Sequence, residues 1–194
     1  RPVLAELREA LPGVQHAVLL GNLDASVSIA GWASWTGATA RNDAETAAFE
    51  PMWLPFDHPL WIVYSSGTTG LPKPIVHGHG GIVLESLKMG ALHNNVGASV
   101  ETGDRYHWYS STGWIMWNTQ PGALLGGTTV CIYDGNPGGR IAAPDLNTIW
   151  RFAADAGATF FGAGAAFYAN CLKAGVEPMK EADLSKLRSI GSTG

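Results

Sequence analysis

The sequence has 194 residues, of which 46% are hydrophobic and 14% charged, so it is long and apolar enough for a buried core and unlike a disordered chain. A formal net charge of −4 and the lack of any lysine–arginine cluster argue against a nucleic-acid-binding surface. The sequence contains no apolar run long enough to cross a bilayer and no signal peptide, so we expect no membrane contact.

The predicted elements alternate between helices and strands along the chain. Helical spacing of apolar residues over 2–11 predicts an amphipathic helix, and 16–20 predicts a strand, whereas 21–56 has no clear periodicity. Further strands are predicted at 60–64, 106–109, 128–133, 158–161 and 187–190, and helices at 81–93, 114–125, 145–156 and 163–172. The helix at 145–156 is predicted to carry Leu146, Ile149, Trp150 and Ala153 on one apolar face. This alternation predicts an α/β fold with a mostly parallel sheet flanked by helices.

The chain ends predict a partial segment, and the two cysteines predict reduced thiols. Because the sequence opens at Arg1 without methionine and stops at Gly194 just after a predicted strand, we expect a partial segment of a longer protein. Cys131 and Cys171 lie in apolar segments without metal-ligand spacing. They therefore predict reduced core thiols in a cytoplasmic protein. No oligomeric state follows from the sequence.

One stretch, residues 60–81, has the composition of a phosphate-binding loop. An apolar strand, predicted to be buried, runs into hydroxyl groups and glycines that end at Lys73. Glycines let the backbone approach a ligand, hydroxyls add hydrogen-bond donors, and an ammonium neutralises phosphate charge. The commonest nucleotide loop does not fit, because Pro72 precedes the lysine and Pro74 follows it. A loop of this composition also serves simply to turn the chain.

Residues 65–73, Ser-Ser-Gly-Thr-Thr-Gly-Leu-Pro-Lys, resemble the signature loop of the adenylate-forming enzymes, which include acyl-CoA synthetases, firefly luciferase and peptide-synthetase adenylation domains. Family members usually carry glycine where this chain has Pro74. Segments 71–77 and 108–118 look most like those of acyl-CoA synthetases that act on acetoacetate. The alternatives are an acetyl- or propionyl-specific synthetase, or a non-catalytic nucleotide-binding module of the same fold.

The resemblance implies that residues 1–194 are part of the large N-terminal adenylation domain, without the small C-terminal lid. Its small-molecule substrates would be acetoacetate, ATP and CoA, with Mg²⁺ held mostly by residues outside this segment. Because the family's later motifs lie beyond Gly194, we expect the segment alone to be inactive.

The resemblance also assigns site residues. The ATP phosphates would be bound by Ser65, Ser66, Gly67, Thr68, Thr69, Gly70 and Lys73. The acyl pocket would be bordered by Trp114, Ile115, Met116 and Thr193, although an isolated tryptophan–isoleucine–methionine cluster is also typical of ordinary core. Gly194 would begin the loop at the adenine, and Ala163 and Gly164 would lie near CoA. For His77 and His79, which lack a neighbouring carboxylate or cysteine, we expect loop packing and no metal.

Overall fold

The computed structural model describes residues 2–22, 24–65 and 70–193, and it divides into two units, Arg1–Trp53 and Leu54–Gly194. The first unit contains α1 (Pro2–Ala10), β1 (Val18–Leu19), β2 (Ala33–Ser34), α2 (Trp35–Thr39) and α3 (Ala44–Ala47), with β1 and β2 parallel. The predicted first helix and first strand are confirmed. The two later helices are too short for a periodic signal, and each begins at a side-chain cap, Ser34 for α2 and Asp43 for α3.

The second unit opens with an antiparallel hairpin of β3 (Pro59–Ser65) and β4 (Lys73–Gly78), followed by α4 (His79–Lys88) and a π-helical segment (Met89–His93). The strand predicted at 60–64 is therefore confirmed. No strand was predicted between it and the helix at 81–93, which is wrong, because β4 lies between them. The strand was not predicted because Pro74 argues against a strand in the sequence. A strand that is paired on one side only nevertheless tolerates proline. The prediction that β3 is buried is also wrong, since Ile62 is 56% and Tyr64 67% exposed.

A four-stranded parallel sheet forms the centre of the second unit. Along the chain follow α5 (Ser99–Thr102), β5 (Arg105–Trp108), a 3₁₀ segment (Ile115–Asn118), α6 (Thr119–Leu125), β6 (Thr129–Val130), β7 (Gly139–Arg140), β8 (Ala143–Pro144), α7 (Thr148–Asp155), β9 (Phe160–Gly164), α8 (Ala165–Lys173), α9 (Pro178–Glu181) and β10 (Ser189–Thr193). The sheet order is β10-β9-β5-β6, and all of its pairings are parallel. The predicted α/β class with a mostly parallel sheet is thus confirmed.

Several element boundaries differ from the predicted ones. The helix predicted at 114–125 is a 3₁₀ segment followed by α6, so Pro121 falls in the first turn of α6, where its missing N–H has no helical partner to lose. The strand predicted at 128–133 shortens to β6, because only two of its residues pair with β5. The last strand is longer than predicted and extends to Thr193, because each residue of β10 pairs with β9.

Helices cover both faces of the parallel sheet. On one face Ile149, Trp150 and Ala153 of α7 pack with Phe161 and with Cys171 of α8 in a buried core, and the apolar face predicted for α7 is confirmed. On the opposite face an aromatic layer, which we define as Tyr106, Trp108 and Phe160, packs with Met116 and with Ala123 of α6. Both cysteines are buried free thiols, as the sequence predicted.

A buried carboxylate ties together the starts of three adjacent parallel strands. Asp104, Thr159 and Arg188 each directly precede a strand, β5, β9 and β10 respectively. Asp104 is 2% exposed and accepts hydrogen bonds from the Gly97 N–H (2.9 Å) and the Thr159 hydroxyl (3.0 Å), and it forms an ion pair with Arg188. Burial alone would raise the pKa of Asp104, but these donors together hold it below its usual value.

His107 is buried on the α7 face of the sheet. Its Nδ1–H donates to the Cys131 carbonyl over 2.7 Å, and its Nε2 has no hydrogen-bond partner among the described residues. The rings of Phe152 and Phe161 lie beside it, with centroid distances of 5.1 and 5.4 Å. Burial lowers the pKa of His107, and the bond to Cys131 offsets this only in part.

We therefore expect the full-length protein to lose stability as the pH falls through the range in which an unfolded histidine binds a proton. In the unfolded state the imidazole of His107 binds a proton near pH 6.5, whereas in the folded state it binds one only at lower pH. The free energy of unfolding should therefore fall by up to about 1 kcal/mol between pH 7 and 5.5. Urea unfolding at several pH values across this range measures the free energy of unfolding. With decreasing pH this free energy should fall less in His107→Gln than in the wild type. His16→Gln, at an exposed position, is the matched control. If the free energy of unfolding of His107→Gln fell with pH as steeply as that of the wild type, this would contradict the assignment of the pH dependence to His107.

Candidate functional site

Ser65 and Lys73 close the two ends of the loop that the sequence analysis assigned to phosphate. Ser65 is the last residue of β3 and pairs in register with Lys73, the first residue of β4, so residues 66–72 connect the two strands of the hairpin. Gly70 adopts a φ of +117°, a backbone conformation that glycine reaches without strain. The other four residues of the assignment, Ser66, Gly67, Thr68 and Thr69, lie outside the described residues.

The side chain of Lys73 is exposed, and no ion-pair partner for it occurs in the described part of the chain. Its backbone pairs with Ser65 of β3, whereas its ammonium forms no ion pair with any residue that the structure describes. An ammonium in this position is open to an anionic ligand approaching the loop, and a phosphate group fits that chemistry.

A cavity of about 680 Å³ lies within the second unit, bordered by α4, the π-helical segment, the 3₁₀ segment, α6 and the aromatic layer. It brings together three of the four residues assigned to an acyl pocket, Ile115, Met116 and Thr193. Trp114, the fourth, is 59% exposed and does not line this cavity. Most of the lining side chains are apolar, and the cavity is large enough for a small organic acid.

The two residues assigned to CoA lie at the end of β9, beside the end of β10. Gly164 pairs with Thr193, and Ala163 pairs with Ser192. Ala163 is fully buried towards α7 and α8, so its side chain faces away from solvent, whereas Gly164 is partly exposed. Gly194, assigned to adenine, lies outside the described residues.

The aromatic layer is the part of this site that the sequence analysis missed. Tyr106 and Phe160 stack with a centroid distance of 4.8 Å, and all three aromatic residues of the layer line the cavity. Burial raises the pKa of Tyr106 to about 12, and its side-chain hydrogen bond with Thr119 lowers it by less. The phenol is therefore protonated at neutral pH. The alternation of Tyr106 and Trp108 along β5 was the signal in the sequence, since both must point to the same face.

The described residues contain neither a cluster of metal-ligating side chains nor a helix that could span a membrane. In residues 2–22, 24–65 and 70–193 no group of three or more histidine, cysteine, aspartate or glutamate side chains could hold a metal ion. The ring of His79 instead lies 5.6 Å from that of His58, centroid to centroid. No helix in these ranges has the length and apolar character needed to span a bilayer.

Comparisons with known proteins agree with the fold and with the family resemblance. Residues 3–194 match the family model described as AMP-binding enzyme. The acetoacetyl-coenzyme A synthetase of Rhizobium meliloti (strain 1021) is 41% identical over 73% of this chain, and the acetoacetyl-CoA synthetase of Gallus gallus is 40% identical over 81%. A solved structure of acetoacetyl-CoA synthetase from Streptomyces lividans matches 100% of this chain with 44% identity and a TM-score of 0.83. The chain spans 20% and 22% of the two curated relatives and 28% of the solved chain.

Proposed function

Because the chain belongs to the AMP-binding enzyme family, we propose that the full-length protein ligates acetoacetate to CoA at the expense of ATP. The observation that carries the proposal is the similarity to acetoacetyl-CoA synthetases, 37–41% identical in several animals and one bacterium. It is supported by the position of Ser65 and Lys73 at the two ends of the assigned loop.

The proposed reaction has two steps. The acetoacetate carboxylate attacks the α-phosphorus of ATP, and the bond to the β-phosphate oxygen breaks, which gives acetoacetyl-AMP and pyrophosphate. The CoA thiol then attacks the acyl carbon, loses its proton and displaces AMP. Repulsion between the carboxylate and the triphosphate is the first obstacle, and the loop overcomes it by neutralising and orienting the leaving pyrophosphate.

In this proposal the phosphates are bound by the loop from Ser65 to Lys73. The ammonium supplies positive charge, while the hydroxyls and the backbone N–H groups supply hydrogen bonds. The assignment covers Ser65, Ser66, Gly67, Thr68, Thr69, Gly70 and Lys73. It is supported by the exposed ammonium of Lys73 and by the positive φ of Gly70.

The acyl group is proposed to bind in the cavity bordered by Ile115, Met116 and Thr193. Trp114, the fourth residue of the assignment, does not line this cavity, so its proposed contact with the acyl group is not supported by the cavity. Gly194 would approach the adenine. The backbone at Gly164, beside Thr193, would contact CoA, with Ala163 holding the end of β9 in the core. The Mg²⁺ of this proposal would be held mostly by residues outside this segment. The free thiols Cys131 and Cys171 support a cytoplasmic location.

Acid-dependent exchange of pyrophosphate into ATP by the full-length protein tests the proposal. With acetoacetate, acetate and propionate compared at equal concentrations, we expect the fastest exchange with acetoacetate. If exchange were fastest with acetate or propionate, that acid would be the substrate in place of acetoacetate, and the proposed adenylate chemistry would still hold. No exchange with any acid, in a protein that still binds ATP, would identify a non-catalytic nucleotide-binding module instead.

A further inference from the structure

Trp108, Gly162 and Gly191 form one row across three neighbouring parallel strands. Trp108 of β5 pairs with Gly162 of β9, which pairs in turn with Gly191 of β10. A Cβ atom on Gly162 would lie 2.1 Å from the indole Cε3, and one on Gly191 would lie 2.7 Å from the indole Cζ3. Both distances are far below van der Waals contact. The benzene ring of the indole therefore lies flat over both glycines, in space that two side chains would otherwise fill.

Neighbouring side chains hold this indole in place. Its ring stacks on Phe160 with a centroid distance of 6.2 Å and an interplanar angle of 27°. Trp108 is only 6% exposed, and yet it lines the cavity. Because the glycine backbone lies beneath the ring and Phe160 beside it, the indole cannot sink towards the sheet, and it forms a rigid floor for the cavity.

Two residues assigned to the acyl pocket, Met116 and Thr193, line the same cavity as Trp108. Met116 packs against the aromatic layer to which Trp108 belongs. Thr193 projects from the same face of β10 as Gly191, since it is two residues further along the strand. The side chain at position 108 therefore fills the part of the cavity that lies above Gly162 and Gly191.

We propose that Trp108 is a specificity-determining residue that closes the floor of the cavity against 3-oxo acids longer than acetoacetate. The inference rests on the proposed function, because it assigns the acyl group to this cavity. A smaller side chain at position 108 would leave a hollow above Gly162 and Gly191 that additional methylene groups can fill. A single methylene in an apolar pocket changes discrimination about 10- to 200-fold.

The test compares Trp108→Leu with the wild type in the full-length enzyme. We expect the ratio of kcat/KM for 3-oxohexanoate to that for acetoacetate to rise at least about tenfold, with the KM for ATP changed by less than about twofold. Trp53→Leu is the matched control, because Trp53 is 99% exposed and lies outside the unit that holds the cavity. It should leave the ratio unchanged.

Trp108→Phe is a second variant for the case that Trp108→Leu does not fold, because it keeps an aromatic ring over the glycines. It should raise the ratio of kcat/KM for 3-oxohexanoate to that for acetoacetate by a smaller factor. An unchanged ratio in a folded variant that still activates acetoacetate would overturn the role of Trp108 and leave the proposed function intact. Loss of folding in both variants would also overturn it, in favour of a purely structural role. A wild-type enzyme that prefers another acid would instead count against the proposed function.

Discussion

Replacing Lys73 by alanine in the full-length protein is expected to slow adenylate formation about 100- to 1,000-fold, the usual effect of removing one well-placed group that stabilises developing charge. Lys73 starts β4 directly opposite Ser65, and no ion-pair partner for it occurs in the described ranges. Under the proposed function, its positive charge interacts with the β- and γ-phosphates of ATP. Pyrophosphate exchange with acetoacetate measures the loss, and thermal unfolding should be unchanged because the side chain is exposed.

Two further variants separate this role from a general effect of charge. Lys173→Ala removes an exposed lysine at the end of α8 and should exchange pyrophosphate at the wild-type rate. Lys73→Arg keeps the positive charge but changes its shape and reach, so it should recover only part of the activity. A wild-type exchange rate in Lys73→Ala would exclude Lys73 from phosphate binding and would weaken the assignment of the whole loop.

The second large effect is expected at Asp104. Asp104→Ala should lower the free energy of unfolding by about 3 kcal/mol, the lower end of the range for breaking a buried ion pair, because the partner Arg188 is itself partly exposed. The substitution leaves the Gly97 N–H and the Thr159 hydroxyl without their buried acceptor. Urea unfolding of the full-length protein measures the change.

The pH dependence of Asp104 has a definite sign. Because its pKa is lower in the folded state than in the unfolded state, the carboxylate stabilises the fold at pH values above the unfolded pKa of about 3.9. That stabilisation is lost as the pH falls through the folded pKa, and Asp104→Ala should lack this part of the acid transition. Asp145→Ala, which breaks a solvent-exposed pair with Arg151, is the matched control and should cost less than about 1 kcal/mol. If Asp104→Ala lowered the free energy of unfolding by a similarly small amount, this would contradict the stabilising role assigned to the buried Asp104 carboxylate.

Local sequence patterns determined the class of the fold and the position of the loop. The period of apolar residues predicted α7 with Ile149, Trp150 and Ala153 on its inner face, and the structure buries all three. The helix–strand alternation predicted the parallel sheet. The composition and order of residues 65–73, with their resemblance to a known loop, predicted a phosphate-binding loop, and the structure places this segment between β3 and β4. Each of these signals lies within a short segment, so it can be recognised without knowing what that segment packs against.

Only the tertiary structure decided which distant residues meet. β4 was missed because Pro74 is compatible with a strand only when that strand is paired on one side, which the local sequence does not reveal. Asp104 and Arg188 pair across a separation of 84 residues. The row of Trp108, Gly162 and Gly191 depends on the register of three strands that lie far apart along the chain. Strand register follows from the packing of all the strands and helices together, so no local pattern contains it.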